Sequence, residues 1–324
     1  MLINQAYAPN TRRLLVVLAV CTVLIFVLYQ VQVSRRLVLQ DVSTTTLPNS
    51  DTIKLKDPSI NECSGLAVSR LNPGCFWVHN DSGDSPRLFL VDREGETRLR
   101  LHLTGAEAID WEDLTLGKIH GQSMLVAGDI GGNARQRDNI VLYLVFEPKL
   151  DPTQKGASVD SQQVPQMVLR VRVPGGVTNY EGIGFDSTLS SILLMEKSTF
   201  GGRIYSIDVP QQDQSVKSIE RSVDAKFIAR TAIPTATACD ISADGSKLVA
   251  INYSAGFLFE RKLVNGQLEP WLDALNQEPK TFPLPRLRQA ESVCFSENDQ
   301  SIYVSSEFTP TPIIKVDLKA SLLE

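Results

Sequence analysis

The chain has 324 residues, 43% of them apolar and 21% charged, a balance that fits a folded globular protein and excludes a disordered one. A net charge of -5 with no basic stripe argues against a nucleic-acid partner. Five cysteines without a CxxC pair argue against a thiolate zinc site and are too few for a disulfide framework at this length, so Cys63, Cys75, Cys239 and Cys294 read as buried free thiols.

Residues 1–13 form a short head. Leu14 to Val33 carries no charge and is long enough to cross a bilayer core. No small-residue cleavage site follows it, so the segment reads as an uncleaved transmembrane anchor rather than a signal peptide. Arg12 and Arg13 precede it and Arg35 and Arg36 follow, so flanking charge does not set its orientation. A short head with a large outer domain places the rest of the chain in the periplasm or outside the cell. Residues 34–50, with TTTLPNS, read as a linker, and 51–324 as one domain.

From Thr52 onward, short β-rich runs alternate with turn chemistry, and the runs repeat. First strands read SGLAVS, EDLTLG, EGIGFD, CDISAD and ESVCFS. Second strands read FWVHND, MLVAGD, ILLMEK, LVAINY and IYVSSE, and third strands RLFLVD, VLYLVF, RIYSID, FLFERK and PIIKVD. TRLRLHL, MVLRVRV and AKFIART supply fourth strands, and Asp244-Gly245 joins two strands as a tight hairpin. Four-stranded antiparallel units in series indicate an all-β fold, a β-propeller behind the transmembrane helix. The count is five blades, with six as the alternative because residues 130–175 are long for one blade. The last unit lacks a fourth strand, and TIKLKD at Thr52 to Asp57 is placed to close the ring.

In an antiparallel blade, the start of the first strand and the end of the second lie at the same end, near the axis. One column there holds Ser64, Glu112, Glu181, Cys239 and Glu291, with Glu62, Asp110 and Asp113 beside it. The other holds Asn80-Asp81, Gly128-Asp129, Glu196-Lys197, Asn252-Tyr253 and Ser306-Glu307. Two carboxylates about 6 Å apart repel by roughly 3 kcal/mol at an effective dielectric near 20. Several around one axis need protons, basic partners or a cation. Oxygen-rich, histidine-poor surroundings select a hard cation, calcium, with Asp81, Glu112, Asp129, Glu181, Glu196, Glu291 and Glu307 as candidate ligands. The alternative is a solvated acidic rim paired with Lys197, Arg135 and Arg137.

HNDSGDSP, His79 to Pro86, imitates the serine-protease motif GDSGGP. His79 sits only three residues from Ser82, and too little chain precedes the serine to hold a separate base and orienting aspartate. The stretch reads as a loop bringing Asn80, Asp81 and Asp84 to the axial face. GDIGGNARQRDN adds Asn133, Arg135 and Arg137, which suit an anionic ligand or close a long hairpin. Trp111 in DWEDL packs between blades or lines a ligand wall.

WVHNDSGDSPRLFLVD, DWEDL, GDIGGN and YEGIGF with LLMEK together resemble an uncharacterised group of bacterial exported propeller-like proteins whose pattern is roughly WxHNDSG, DWED, GDIGDN. The resemblance covers about residues 60–200, and Gly132 stands where the pattern carries Asp. The group carries no established activity. A more distant similarity to calcium-binding propellers, phytase-like esterases and gluconolactonases, implies an axial metal and hydrolysis of phosphate esters, carboxylic esters or lactones. In that lactonase pattern Glu181, Asn252 and Asp240 are the nearest counterparts, with a spacing that fits poorly. The expectation is a membrane-anchored binding or scaffold propeller with an axial calcium, whose face meets a protein, a glycan or a small anionic ligand. The alternative is a metal-dependent hydrolase with Glu112, Glu181 or Glu291 as general base. A glycosidase using paired acids is the third reading, and the sequence shows no interleaved aromatics of the kind expected in a sugar cleft.

Overall fold

The computed structural model describes residues 52–132, 137–151, 158–211 and 218–322. The predicted head, anchor and linker, together with Asn133 and Arg135, lie outside the described residues. No helix among the described residues is long and apolar enough to cross a membrane.

Five blades form the domain. β1 (Thr52–Lys54) precedes the first of them. Blade 1 contains β2 (Cys63–Val68), β3 (Phe76–Asn80), β4 (Arg87–Val91) and β5 (Thr97–Leu103). Blade 2 contains β6 (Trp111–Ile119), β7 (Gln122–Asp129), β8 (Ile140–Phe146) and β10 (Met167–Arg172), with β9 (Val159–Gln163) lying between the last two in sequence. Blade 3 contains β11 (Tyr180–Asp186), β12 (Ser191–Glu196), β13 (Arg203–Asp208) and β15 (Lys226–Arg230), with β14 (Ile219–Asp224) interposed. Blade 4 contains β16 (Ala238–Ile241), β17 (Lys247–Ile251), β18 (Ala255–Glu260) and β21 (Lys280–Pro283). Between β18 and β21 come the small hairpin β19 (Leu263–Val264) and β20 (Gln267–Leu268) and the helix α1 (Trp271–Leu275). Blade 5 contains β22 (Ala290–Phe295), β23 (Ser301–Ser306) and β24 (Pro312–Asp317), followed by the helix α2 (Leu318–Ser321).

β1 completes blade 5, pairing antiparallel with β24 so that Ile53 faces Ile313. The ring is therefore closed by the N-terminal strand, as TIKLKD predicts. β2 packs on β6, β6 on β11, β11 on β16, β16 on β22 and β22 on β2, so these five innermost strands surround the axis.

The length of residues 130–175 belongs to a strap, not to a sixth blade. β9 leaves blade 2 and pairs parallel with β5, adding a fifth strand to the outer edge of blade 1. β14 repeats the move from blade 3, pairing parallel with β10 of blade 2. In blade 4 the same connection forms α1, which packs on β15 of blade 3. Each excursion covers the outer part of the preceding blade, where an uncovered strand would expose unpaired backbone groups. Trp271 of α1 donates its indole N–H to Asp186 at 2.8 Å, and Arg261 donates to the same carboxylate at 3.1 Å.

The inner strands read as continuous apolar runs because both faces are buried. In β12, Ile192 and Leu194 enter the core shared with blade 2, whereas Leu193 and Met195 enter the core shared with blade 4. Similar cores lie between blades 1 and 2, 4 and 5, and 5 and 1. The thiols of Cys63, Cys75, Cys239 and Cys294 are free and buried.

Candidate functional site

The innermost strands present unpaired edges to the axis, and polar side chains bridge them. Asp113 of β6 accepts the N–H groups of Ile183 at 2.9 Å and Cys239 at 3.3 Å, reaching blades 3 and 4 from blade 2. Asp240 of β16 accepts the N–H of Phe295 at 2.9 Å and the hydroxyl of Thr115 at 3.0 Å. Ser64 donates to the carbonyl of Glu112, and Thr237 to that of Ala290 at 2.7 Å. These groups hold the blades around the channel. Burial pushes the Asp113 carboxyl well up and that of Asp240 up to about 7. Asp240 is thus part of the channel's framework, and Asn252 likewise closes its own turn by accepting from Ser254 and Ala255.

Above the channel, a β-bulge interrupts the pairing of the first two strands in blades 1, 2, 3 and 5. The extra residue in each case is Ser64, Glu112, Glu181 or Glu291. A bulged residue leaves the ladder and its side chain is re-aimed. Three glutamates of the first predicted column therefore occupy the same irregular position. In blade 4, β16 pairs with β17 without a bulge, and Cys239 stays in the ladder opposite Ala250.

Asp81, Asp110 and Glu112 bring one carboxylate oxygen each to within 4.8 Å of the others. Asp81 comes from the loop after β3, and the other two from the entry to β6. Glu112 is 3% exposed; its Oε1 meets no N–H or hydroxyl donor among the described residues, and its carboxyl pairs with that of Glu181. The loop after β7 forms one wall. The N–H of Gly131 donates to the Asp110 carbonyl at 3.1 Å, and a Cβ at Gly131 would overlap Glu112 Oε1 and Asp110 Oδ2. Only glycine fits so close to both carboxyls.

Glu181 touches the trio on one side. It accepts from Asn179 Nδ2 at 2.6 Å and lies 3.3 Å from Lys197 Nζ. Lys197 in turn sits 5.3 Å from the centroid of the Tyr253 ring. Gln289 donates to Glu307 at 2.5 Å and to Glu291 at 3.5 Å. Burial, reinforced by Glu181, Asp81 and Asp110, pushes Glu112 up to about 12. Burial lifts Asp81 to about 6 and Glu291 to about 8, the latter against the pull of Lys197. Glu181 and Glu307 are also raised, burial again being the largest cause. Burial works against the Lys197 ammonium, yet Glu181 and Glu291 raise its pKa overall. Crowded acids with raised pKa values hold protons that a divalent cation would displace.

The other predicted residues spend their oxygens on the fold. Asp129 accepts from the Asp110 N–H at 3.0 Å and from Arg137 at 2.6 Å, and Arg137 also donates to the Gly131 carbonyl. Glu196 is held by Arg203 at 2.7 Å and Thr178 at 2.9 Å. Those hydrogen bonds outweigh burial and bring Glu196 down to about 2. Asn80 accepts from the N–H groups of Asn61 and Glu62 and donates to Asp84, which also binds Arg87. Trp111 packs between blades 1 and 2, edge-on to His79 at 5.2 Å. His79 is fully buried and Ser82 exposed, an arrangement without a serine-protease base. Asp110 was visible in DWED but stood outside the aligned columns, because it precedes its strand.

No protein-family model matches the chain, and no curated protein matches it. Among solved structures the chain is similar to one in the crystal structure of a nidogen/laminin complex, at 14% identity and a TM-score of 0.43, covering 81% of this chain and 78% of that one. It is also similar to one in the crystal structure of Chaetomium thermophilum Sqt1 bound to the N-terminus of the ribosomal protein L10, at 15% identity and a TM-score of 0.35, covering 79% of this chain and 60% of that one. Neither likeness carries a functional argument.

Proposed function

We propose that this chain is a membrane-anchored, extracytoplasmic β-propeller that holds a calcium ion at its axial mouth and serves as a binding scaffold. The observation that supports the cation is the trio of Asp81, Asp110 and Glu112 within 4.8 Å, with Glu112 Oε1 buried and without an N–H or hydroxyl donor among the described residues. Carboxylate oxygens without a nearby histidine or thiolate suit a hard cation, and calcium accepts six to eight oxygens in flexible geometry. Anchoring rests on the uncharged segment 14–33, and the kinship with exported bacterial propellers on WVHNDSG, DWED and GDIGGN. This reading gives the face a protein, a glycan or a small anionic ligand as its partner. Elemental mass spectrometry of the purified full chain in detergent, with melting curves before and after chelation, tests the reading. Near-stoichiometric calcium and a lower melting temperature after chelation are expected, both abolished by Asp81→Asn. A metal-free protein indifferent to chelator and calcium overturns it.

A second reading, a metal-dependent hydrolase of phosphate esters, carboxylic esters or lactones, is favoured by Glu291. Its carboxyl, raised to about 8 beside Lys197, lies in the range where a group exchanges protons at neutral pH. Turnover of chromogenic esters that Glu291→Gln abolishes without changing the melting temperature would establish it.

A further inference from the structure

The axial face is acidic at its floor and aromatic along one side. The loops between second and third strands of blades 1, 3, 4 and 5 lie on this face, because each starts where a second strand ends. On blades 3, 4 and 5 these loops carry Phe200, Tyr253 and Phe308, which are 73%, 39% and 38% exposed. Phe308 adopts φ 74°, a conformation rare for a bulky side chain, and its N–H is tied to the Asn61 carbonyl at 3.2 Å. The backbone thus holds an apolar ring out in solvent at the edge of the mouth. Arg288 stacks on it at 4.2 Å from the ring centroid, showing that the ring accepts a guanidinium.

The floor carries Glu62, Asp81, Glu291 and Glu307, the last of them next to Phe308 in the chain, as well as the buried Glu112. Two cations stand at this mouth, Lys197, engaged by Glu181 and Tyr253, and Arg288, stacked on the Phe308 ring. A divalent ion at Asp81, Asp110 and Glu112 would neutralise that corner and leave Glu62 and Glu307 beside Phe308, with Glu291 adding its charge only as the pH rises through about 8. The remaining field favours a positive ligand and disfavours an acidic one. Three rings on three separate loops exceed what a small ammonium ion covers, and match a chain with apolar groups on either side of its charge.

We infer that the axial face docks a basic polypeptide segment: a lysine or arginine side chain enters the acidic mouth while Phe200, Tyr253 and Phe308 cover apolar residues next to it. This inference deepens the scaffold reading above and rests on it for the role of the face, but not for the metal.

The test uses the full chain in detergent and two fluorescein-labelled peptides, one with two arginines flanked by leucines and one with glutamates in their place. Anisotropy titrations are run with calcium and with chelator, and calcium uptake is measured by calorimetry on the same samples. The arginine peptide is expected to bind, more weakly at higher salt, and the glutamate peptide not to bind. Phe200→Ser, Tyr253→Ser and Phe308→Gly should each weaken binding by about fivefold or more, the loss typical of a buried interface aromatic. These side chains are exposed, so the fold should persist, and glycine at 308 relieves the backbone. Glutamate-peptide binding equal to that of the arginine peptide, no arginine-peptide binding, or full affinity in all three ring variants would overturn the inference. Arginine-peptide binding that survives chelation, in a protein that takes up no calcium, would remove the metal and retain the docking surface. Calcium uptake without peptide binding would do the reverse.

Discussion

Replacing Asp240 with asparagine should stabilise the propeller at alkaline pH and cost it about 1 kcal/mol in acid. Asp240 is buried in the channel, and that burial raises its carboxyl from 3.8 to about 7. A carboxyl whose folded pKa lies above its unfolded one contributes its full stability below pH 3.8 and loses it as the pH rises to about 7. At 1.36 kcal/mol per unit the ceiling on that loss is about 4 kcal/mol, and about 2–4 kcal/mol is a working range. Asparagine is neutral throughout, accepts from the Phe295 N–H through its oxygen and can donate to the Thr115 hydroxyl. Rearranging that hydroxyl costs about 1 kcal/mol at every pH. The groups facing Asp240 are Asp113, whose carboxyl its charge helps to raise, the thiols of Cys239 and Cys294, held neutral by burial, and the more distant Arg70. The measured midpoint therefore includes a contribution from Asp113. Chemical denaturation of wild type and Asp240→Asn between pH 4 and pH 8.5 measures the difference, which should grow by about 2–4 kcal/mol across the range. A difference that is flat with pH, or a variant that loses ground as pH rises, would refute the reasoning.

Glu147→Ala should cost about 3 kcal/mol or more, because one carboxylate accepts from Ser69, Trp77, Ser123 and the N–H groups of Arg70 and Leu71, and their loss leaves several buried donors unpaired; urea titration at neutral pH measures it. A chain beginning at Leu55 lacks β1, so β24 becomes an open edge, and the melting temperature should fall by on the order of 5–10 °C; calorimetry reads the shift, and an unchanged transition would mean that ring closure contributes nothing. Gly131→Ala sets a methyl group against Glu112 and Asp110, so calcium affinity measured by calorimetry should fall at least tenfold, about 1.4 kcal/mol, while the five-bladed fold remains by circular dichroism.

The repeat was legible because each blade carries its own local signals. Apolar runs such as SILLME are buried on both faces, and turns such as Asp244-Gly245 punctuate them, with Gly245 at φ +72°. The straps were not legible. VDSQQ and IERSVD are polar, half-exposed strands whose pairing is parallel to a strand of another blade, so nothing in their own sequence marks the partner. Six blades stayed open for the same reason.

The sequence by itself determined the ring of blades, its closure by the N-terminal strand and the column of acids near the axis. Strand periodicity and turn chemistry are local, and they repeat. Only the tertiary structure decided which acids are spent and which converge. Asp129 and Glu196 stand in the same column as Asp81, yet Arg137 and Arg203 satisfy them from the same blades. Glu112, Glu181 and Glu291 turn toward the mouth through bulges, and one added residue in a strand changes the face a side chain meets. Burial then leaves Glu112 Oε1 without an N–H or hydroxyl donor among the described residues. Hydrogen-bond competition and desolvation are properties of the packed ring, because they depend on how each blade folds its own donors back and on the walls that neighbouring blades supply.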